Sequence, residues 1–331
     1  MIVRITGTGS MLPVKQVTNQ EISQIVDTSD EWIRERTGIG ARYLSTGETV
    51  ASLATGACEK ALEMAGKTAE DVDLILVASC SSEMLLPCSA CQVQANIGAK
   101  RAVAFDLNAA CSGFMFALNT AYAYLQAGIY KTALIAGSEV LSKIMDWEDR
   151  GTCVLFGDGA GAVVLEADSS KEADASMNAG QGLMGFVQYS DGSKGEALVC
   201  ESRALHNPYY SEEPKNTYVQ MDGREIFKFA ARQVPVTIEE ALQKTAIAKE
   251  DISYFILHQA NARIIEAIAK RLDVDLAKFP INLDQVGNMS SASLPVLLDK
   301  LQREGRLEKG MKLVLSGFGA GLTYGACVLE W

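Results

Sequence analysis

Three polar side chains lie in short motifs whose residue types could carry nucleophilic chemistry. Cys111 lies among small residues in Ala109-Ala-Cys-Ser-Gly113, where a substrate could approach the sulfur. A helix beginning at Cys111 would place unpaired N–H groups beside the sulfur and stabilise a thiolate. His258 precedes Gln-Ala-Asn, and Asn288 follows a glycine whose turn would hold it in place. Each side chain is also compatible with plain packing, because such cysteines and hydrogen-bonded polar groups occur in protein cores.

Two predicted strand and helix units position these side chains. Residues 102–107 predict a buried strand, and the segment that follows is apolar on every side up to Gly128, which predicts a core helix. The predicted strand Ile252–Leu257 ends directly before His258. Open α/β sheets place their sites at the carboxyl ends of strands, so this position favours a functional role. The other histidine, His206, lies in a polar, proline-containing segment and is predicted on the surface.

Two pairs of segments are similar across the chain. Residues 61–77 and 241–257, 180 residues apart, each combine a helical pattern beginning Ala-Leu with Glu-Asp and a short apolar strand. Residues 131–137 and 312–317 are the second pair, and each runs from a lysine through an apolar stretch to a glycine. The repeat predicts an α/β fold of two similar halves, with buried strands covered by helices. Chance similarity of two strand and helix units is the alternative.

A polar stretch supplies the predicted boundary between the halves. Residues 167–181 are rich in Asp, Ser, Lys and Glu, which is typical of a connecting segment. The predicted N-terminal half is therefore 1–170, carrying the cysteine, and the C-terminal half is 171–331, carrying the histidine and asparagine. Residues 200–216 predict a long loop.

Composition excludes several classes of protein. The 331 residues are 48% apolar and 21% charged, as in a globular chain that needs no disulfide or metal to fold. Lys and Arg total 30 against 41 Asp and Glu, and the net charge of −11 predicts no nucleic-acid partner. Eight cysteines lie in apolar or small-residue segments and the N-terminus lacks a signal pattern. Together these features predict a reducing, cytoplasmic location.

Membrane, metal and dinucleotide binding are not expected either. The longest uncharged stretch, 107–130, contains Asn, Ser and Gln, so it predicts a core helix rather than a membrane span. Cys88 and Cys91 form a single CxxC pair without a second pair or a nearby histidine, so no metal site is predicted. The glycine clusters at 157–161 and 317–321 lead into predicted strands, whereas a dinucleotide fingerprint leads into a helix.

A series of motifs extends from near residue 28 to the C-terminus. They are Asp30-Glu-Trp-Ile-Arg-Glu-Arg-Thr-Gly-Ile39, Ala109-Ala-Cys-Ser-Gly113, Asp149-Arg-Gly-Thr152, Phe156-Gly-Asp-Gly-Ala-Gly161, His258-Gln-Ala-Asn-Ala-Arg263, Gly287-Asn288 and Gly317-Phe-Gly-Ala-Gly321. Over essentially its whole length the chain thereby resembles the β-ketoacyl-[acyl-carrier-protein] synthase III family, the initiating condensing enzymes of bacterial fatty acid synthesis. That family lies within the thiolase-like superfamily.

The resemblance implies both a fold and a reaction. The implied fold is thiolase-like, a duplicated α/β fold with five layers, αβαβα, in which two mixed sheets surround buried central helices. The implied enzyme is an acyltransferase that joins an acyl-CoA primer (acetyl-CoA or a short or branched acyl-CoA) with malonyl-[acyl-carrier-protein]. The products are 3-oxoacyl-[acyl-carrier-protein], CO2 and CoA. No cofactor is implied, because the CoA thioesters are substrates.

Carried over residue by residue, the family roles fall on the residues already singled out. Cys111 is the acylated nucleophile, and His258 and Asn288 donate hydrogen bonds to the enolate formed on decarboxylation. The backbone N–H groups of Cys111 and Ala320 form the oxyanion hole. This chain departs from the three-glycine form of the last motif at Ala320, and a positive φ there would cost about 1 kcal/mol.

The resemblance also assigns CoA binding to Trp32, Arg36 and Arg150. Thr28-Ser-Asp-Glu31 is a capping-box pattern, so a helix is predicted to begin near Ser29. Trp32 and Arg36, four residues apart on that helix, share a face and could stack on an adenine ring. Surface packing alone is the other interpretation of such a pair.

A predicted helix over 261–272 carries the expected carrier contacts. Asn261 is assigned by the resemblance to the pantetheine arm. Arg263, Lys270 and Arg271 lie on the face opposite the buried stripe and are predicted to dock the acidic acyl carrier protein. An exposed basic face is also typical of an ordinary solvated surface.

Leu86 matches a family position that reaches the acyl pocket across a homodimer interface. An aromatic residue there restricts the primer to short chains, so leucine predicts room for longer or branched primers.

Two other functions stay open at this point. One is a related CoA-dependent condensing or acyl-transfer enzyme of secondary metabolism, which could retain the same three side chains. The other is a non-catalytic partner subunit that binds an acyl carrier protein.

Overall fold

The computed structural model describes residues 1–168, 182–213 and 217–331. The strands are β1 (Ile2–Met11), β2 (Lys15–Thr18), β3 (Ala41–Leu44), β4 (Leu74–Ala78), β5 (Val103–Leu107), β6 (Thr132–Glu139), β7 (Gly159–Asp168), β8 (Gly182–Ser190), β9 (Leu198–Val199), β10 (His206–Asn207), β11 (Tyr210–Ser211), β12 (Gln220–Met221), β13 (Ile252–Leu257), β14 (Lys312–Gly319) and β15 (Thr323–Glu330). The helices are α1 (Asn19–Ile22), α2 (Asp30–Thr37), α3 (Val50–Ala65), α4 (Ser89–Ile97), α5 (Gly113–Gln126), α6 (Gly223–Thr245), α7 (Ala262–Leu272), α8 (Leu283–Val286) and α9 (Ser293–Arg303).

Two mixed sheets form the centre of the molecule. In the first sheet the order is β1-β7-β6-β4-β5, with β4 parallel to β5 and β6 and with β7 antiparallel to β6 and β1. In the second the order is β13-β14-β15-β8, and only β13 and β14 are parallel. Strands β4 and β6 are buried along their whole length. Their continuous apolar sequences follow from helices that cover both faces of the sheet.

The helices divide into outer and central layers. Helix α3 packs on β1, β6 and β7, and α6 packs on β8, β14 and β15 at the opposite side of the molecule. Helices α5 and α9 lie between the sheets, because each contacts strands of both. The five-layered αβαβα arrangement expected from the resemblance is therefore present. None of the helices in the described residues is long and apolar enough to cross a bilayer.

The predicted repeat is visible in the backbone. In each half a long helix is followed by a 3-10 turn (Ala69–Asp71 or Lys249–Asp251) and then by a parallel strand. In each half a second 3-10 turn (Ala110–Ser112 or Ser290–Ala292) precedes a central helix. Members of each pair of turns lie 180 residues apart, the spacing seen in the sequence.

The boundary between the halves lies outside the described residues. The predicted linker, 167–181, falls mostly on 169–181, so the division into 1–170 and 171–331 stays a prediction. The predicted loop 200–216 contains a small exposed hairpin, β10–β11, in its described part. His206 lies on that hairpin and is exposed, as predicted, with its Nδ1 3.0 Å from Ser211 Oγ.

Candidate active site

Cys111 lies at the centre of a tight turn between β5 and α5. The prediction that the α-helix begins at Cys111 is wrong: residues 110–112 form a 3-10 turn and α5 begins at Gly113. The reason is a left-handed backbone at Ala110, where φ is 45°. Such a conformation costs a non-glycine residue about 1 kcal/mol. The Ala110 N–H donates to Asn108 Oδ1 at 3.1 Å and helps to hold it.

Strands of the second half support the turn that carries Cys111. A Cβ at Gly319, the last residue of β14, would stand 2.6 Å from Cys111 Cβ, so a side chain cannot be accommodated there. The hydroxyls of Ser112 and Thr323 are 2.6 Å apart, which ties the turn to β15. The turn that carries Cys111 in one half is thus positioned by the sheet of the other.

His258 follows β13, as predicted. The backbone N–H of His258 donates to Ser316 O at 2.8 Å. The imidazole and the Phe318 ring make an edge contact, with their centroids 5.2 Å apart. The residue is 2% exposed, and burial lowers the pKa of the imidazole to about 3, so the ring is neutral at neutral pH. Nδ1 is buried without a partner in the described residues. A buried N–H without an acceptor is costly, which favours the tautomer with the proton on Nε2.

Asn288 is held on three sides. Its N–H donates to Leu155 O at 2.9 Å, and its carbonyl accepts from Gly157 N at 2.9 Å. Its Oδ1 accepts the Ser290 N–H at 2.9 Å, so the carboxamide presents Nδ2 as a donor. Gly287 has φ of 70°, as the predicted glycine turn requires.

A cavity of about 110 Å³ brings Cys111, His258 and Asn288 together. The rest of the wall is largely apolar and includes Leu155, Phe156, Ile226, Phe227, Ile264 and Phe318. The three side chains come from three separate segments of the two halves, yet they line one cavity. An apolar wall strengthens the hydrogen bonds that the few polar groups can make.

The sulfur is protonated in the resting state. Burial raises the pKa of Cys111 to about 11, although the nearby Ser290 hydroxyl favours the thiolate. The expected stabilisation by the start of a helix is therefore outweighed by loss of water around the sulfur. A nucleophilic role for Cys111 would require the thiolate to form when substrate is bound, or to react from a small equilibrium fraction.

Ala320 follows β14 next to the turn of Cys111. The residue does not have a positive φ, so the strain expected for alanine at this position is absent. The Ala320 carbonyl accepts from Thr323 Oγ1 at 2.8 Å, and the same hydroxyl contacts the carbonyl of Ala109 at 3.1 Å. These bonds hold the loop against the segment that precedes Cys111.

Two buried ionisable residues near the site were missed from the sequence. Arg42 is fully buried, and its guanidinium donates to Val154 O at 2.6 Å and to Asn19 Oδ1 at 2.8 Å. Burial lowers its pKa to about 10, so it stays charged at neutral pH. Glu139 is also fully buried, at the end of β6. Comparison of the two halves at the 180-residue spacing would have drawn attention to Glu139, because it matches Gly319.

Comparison with known proteins decides the family. The family model for 3-oxoacyl-[acyl-carrier-protein (ACP)] synthase III matches residues 105–192. The model for the C-terminal part of the same family matches residues 242–331. The chain is 46% identical over 330 residues to β-ketoacyl-[acyl-carrier-protein] synthase III of Clostridium acetobutylicum, covering 99% of this chain and 98% of that protein. The chain belongs to the β-ketoacyl-[acyl-carrier-protein] synthase III family.

Solved structures of a synthase III and of a priming β-ketosynthase have the same fold. The enzyme of Aquifex aeolicus VF5 matches with a TM-score of 0.91 and 40% identity, covering 99% of this chain and 100% of that one. A priming β-ketosynthase of the R1128 polyketide biosynthetic pathway matches with a TM-score of 0.90 and 32% identity, covering 99% of this chain and 96% of that one.

The residues predicted for CoA in this synthase III chain lie together. The guanidinium carbons of Arg36 and Arg150 are 4.6 Å and 5.0 Å from the centroid of the Trp32 indole, within range of cation–π attraction. Helix α2 begins near Ser29, as predicted, but the prediction of a capping box at Thr28–Glu31 is wrong. The N-cap is Ser29 rather than Thr28, and its hydroxyl accepts the Trp32 N–H at 3.1 Å. Binding of CoA at this cluster stays a prediction.

Asn261 lines the cavity but is already engaged by the protein. Its Oδ1 accepts the Arg263 N–H at 2.8 Å as the N-cap of α7, and its Nδ2 donates to Arg36 O at 3.0 Å. A pantetheine arm would therefore meet a carboxamide whose orientation is set beforehand. These bonds also link α7 to α2.

Helix α7 presents the predicted basic face. Its buried side is formed by Ile264, Ile265, Ile268, Ala269 and Leu272. Arg263, Lys270 and Arg271 are exposed. Arg263 Nη2 lies 3.8 Å from Glu35 Oε1, a surface pair that contributes little to stability.

Leu86 is 87% exposed and does not line the cavity of its own chain. Its neighbours Met84 and Leu85 are also exposed, which is uncommon for three consecutive apolar residues. A role in the acyl pocket of a second protomer stays a prediction.

The cysteines form no disulfide bonds. All eight cysteines are free, including Cys88 and Cys91. The described residues contain no cluster of three or more His, Cys, Asp or Glu side chains that could hold a metal ion.

The raised pKa of Cys111 makes its reactivity strongly dependent on pH. Since only the thiolate is nucleophilic, alkylation of Cys111 by iodoacetamide should become about tenfold faster for each unit of rising pH until it approaches about 11. Timed labelling followed by peptide mass spectrometry measures the rate, and the exposed Cys200 reports on reagent quality in the same sample. A Cys111 rate that is already maximal at neutral pH would contradict a buried, protonated thiol.

Proposed function

We propose that the chain catalyses the initiating condensation of fatty acid synthesis, in which an acyl-CoA primer reacts with malonyl-[acyl-carrier-protein]. The observation that carries this proposal is the convergence of Cys111, His258 and Asn288 on one apolar cavity. Membership of the synthase III family supports the same reaction. The products are 3-oxoacyl-[acyl-carrier-protein], CO2 and CoA.

The first half-reaction transfers the acyl group to the enzyme. The sulfur of Cys111 attacks the thioester carbonyl, the bond to the CoA sulfur breaks, and the CoA thiolate takes up a proton as it leaves. The N–H groups of Cys111 and Ala320 stabilise the oxyanion of the tetrahedral intermediate.

The second half-reaction begins with loss of CO2 from the malonyl group. The electron pair of the broken C–C bond enters the thioester carbonyl, and the resulting enolate oxygen accepts hydrogen bonds from His258 Nε2 and Asn288 Nδ2. A neutral imidazole suits this role, because a fixed positive charge would stabilise the enolate too strongly to react. The enolate carbon then attacks the acyl-Cys111 carbonyl, a C–C bond forms, and the cysteine sulfur leaves.

The partners follow from this reaction. Trp32, Arg36 and Arg150 bind the nucleotide of CoA, Asn261 guides the pantetheine arm, and no cofactor takes part because the thioesters are substrates. A homodimer in the cytoplasm, without nucleic-acid or membrane partners, agrees with the exposed Leu86 segment and with free cysteines. The synthase of the R1128 pathway favours a second candidate, a priming enzyme of polyketide synthesis, which would use the same side chains on other acyl carriers.

Formation of the acyl-enzyme tests the catalytic proposal directly. Incubation with acetyl-CoA should add one acetyl group to the peptide containing Cys111, and Cys111→Ala should abolish the adduct. Addition of malonyl-[acyl-carrier-protein] should then discharge the acetyl group and release CO2. Cys91→Ala, which removes an exposed thiol, is the matched control and should acetylate normally. A folded wild-type protein that forms no adduct would favour the non-catalytic partner subunit.

The basic face of α7 should matter only when substrate arrives on the carrier protein. Arg263→Glu reverses a charge that faces the acidic carrier, so kcat/KM for malonyl-[acyl-carrier-protein] should fall about tenfold or more. Decarboxylation of a short malonyl thioester should change little. Arg101→Glu, at an exposed position in the first half, controls for the change in net charge. Equal losses with both substrates would remove the docking role.

The size of Leu86 should set the range of primers. Turnover with acetyl-, isobutyryl- and hexanoyl-CoA should include the longer or branched chains in the wild type. Leu86→Phe should narrow the range toward acetyl-CoA, because a larger ring would fill the end of the pocket. A wild-type enzyme that accepts acetyl-CoA alone would argue against this assignment.

A further inference from the structure

Glu139 occupies a defined position in the repeat that the proposed mechanism does not use. Strand β6 ends at Glu139 and β14 ends 180 residues later at Gly319. Gly319 lies against Cys111, and Glu139 lies against Ser291, which is itself 180 residues after Cys111. The end of β14 therefore presents no side chain to Cys111, whereas the end of β6 presents a carboxyl group to Ser291.

The hydrogen bonds around Glu139 indicate its protonation state. Oε2 accepts from Ser81 Oγ at 2.5 Å and from the Cys80 N–H at 3.2 Å. Oε1 lies 2.8 Å from Ser291 Oγ, which also lies 2.9 Å from the Ala78 carbonyl. The Ser291 hydroxyl has one proton and two acceptor neighbours, and a carbonyl has no proton to give. Both contacts are satisfied when Oε1 carries a proton and donates it to Ser291.

The surroundings agree with an uncharged acid. No Lys, Arg or His in the described residues forms an ion pair with Glu139. Burial raises the pKa of its carboxyl group above the usual range. The ionisable groups that face it are the thiols of Cys80 and Cys111, and a negative charge on Glu139 would raise the pKa of both.

The bond from Glu139 reaches the residues that orient Asn288. Ser291 and Ser290 are in the same 3-10 turn, and Ser290 has φ of 47°, a strained value for serine. The Ser290 N–H donates to Asn288 Oδ1. The peptide that aims the carboxamide is therefore fastened to the first sheet through Ser291, whose backbone also lies close enough to Gly137 to exclude a Cβ there.

We propose that Glu139 is a positioning residue, a neutral carboxylic acid that holds the Ser290–Ala292 turn and thereby aims Asn288 Nδ2 into the cavity. The proposal rests on the proposed function of Asn288 in decarboxylation. Loss of Glu139 should affect the two half-reactions differently, because acylation of Cys111 does not use Asn288. The proposal also explains why a buried acid without a cation is tolerated beside a nucleophilic sulfur.

Two variants test the role of Glu139. In Glu139→Gln the carboxamide can donate to Ser291 and accept from Ser81 and the Cys80 N–H, so both half-reactions should stay near the wild-type rate. Glu139→Ala leaves these groups unpaired, so decarboxylation of malonyl-[acyl-carrier-protein] should fall about tenfold or more while acetylation of Cys111 continues. Acetylation measured in the same preparation shows that the variant is folded.

Infrared spectroscopy tests the proton without any substrate. The difference spectrum between wild type and Glu139→Gln near neutral pH should contain the C=O band of a protonated carboxyl group. Glu304→Gln, which removes a surface carboxylate paired with Arg306, should give no such band.

Each contrary outcome overturns the proposal. Absence of the band shows that Glu139 is charged, and a Gln variant as defective as Ala shows that the charge is needed. An Ala variant that decarboxylates normally, or that loses both half-reactions equally, shows no specific role in aiming Asn288. Failure of the proposed function is recognised separately, because the wild type would then neither acetylate nor decarboxylate while the infrared result still stands.

Discussion

The whole site depends on close contact between two turns, one from each half of the molecule. Residues 110–112 carry Cys111, and residues 290–292 lie directly beneath them. A Cβ on Gly113 would lie 3.6 Å from Ser291 Cβ, and one on Gly137 would lie 2.3 Å from Ser291 O. Since neither half contains both the sulfur and the carboxamide, their distance is set by how closely these turns pack. Gly137 in β6 allows the backbone of that strand to meet the turn 290–292 directly.

Loss of water shapes the chemistry of every group in the cavity. The same burial that keeps His258 neutral also keeps Cys111 protonated. For the imidazole the effect is useful, because a neutral N–H donor is available at any physiological pH. For the cysteine it opposes reactivity, and under the proposed function the N–H groups of the oxyanion hole would offset that cost by stabilising negative charge as it develops. Such a site would stabilise a transition state rather than a stable anion.

The sequence predicted those features that depend on local pattern. Three such features are confirmed: the strand Ile252–Leu257, the glycine turn before Asn288 and the buried stripe of α7. Each depends on hydrophobic periodicity or turn-forming residues at neighbouring positions in the sequence. The α-helix start at Cys111 was predicted wrongly, since Ala110 has a left-handed backbone and the turn that contains it packs against the other half. The bond between Glu139 and Ser291 spans 152 residues, and no local pattern indicates a contact across such a separation. The proposed contribution of Leu86 to the acyl pocket of a second protomer cannot be derived from one chain.

The small volume of the cavity has a consequence for the order of events. Both thioesters must bring a carbonyl carbon to the same sulfur, and a space of about 110 Å³ beside Cys111 cannot hold two pantetheine arms at once. Departure of free CoA must precede entry of the malonyl group, so the enzyme alternates between two covalent forms. The free form of Cys111 then reacts with the acyl-CoA and the acylated form with the carrier-bound malonyl group, so the rate of the complete cycle would depend on the supply of both thioesters.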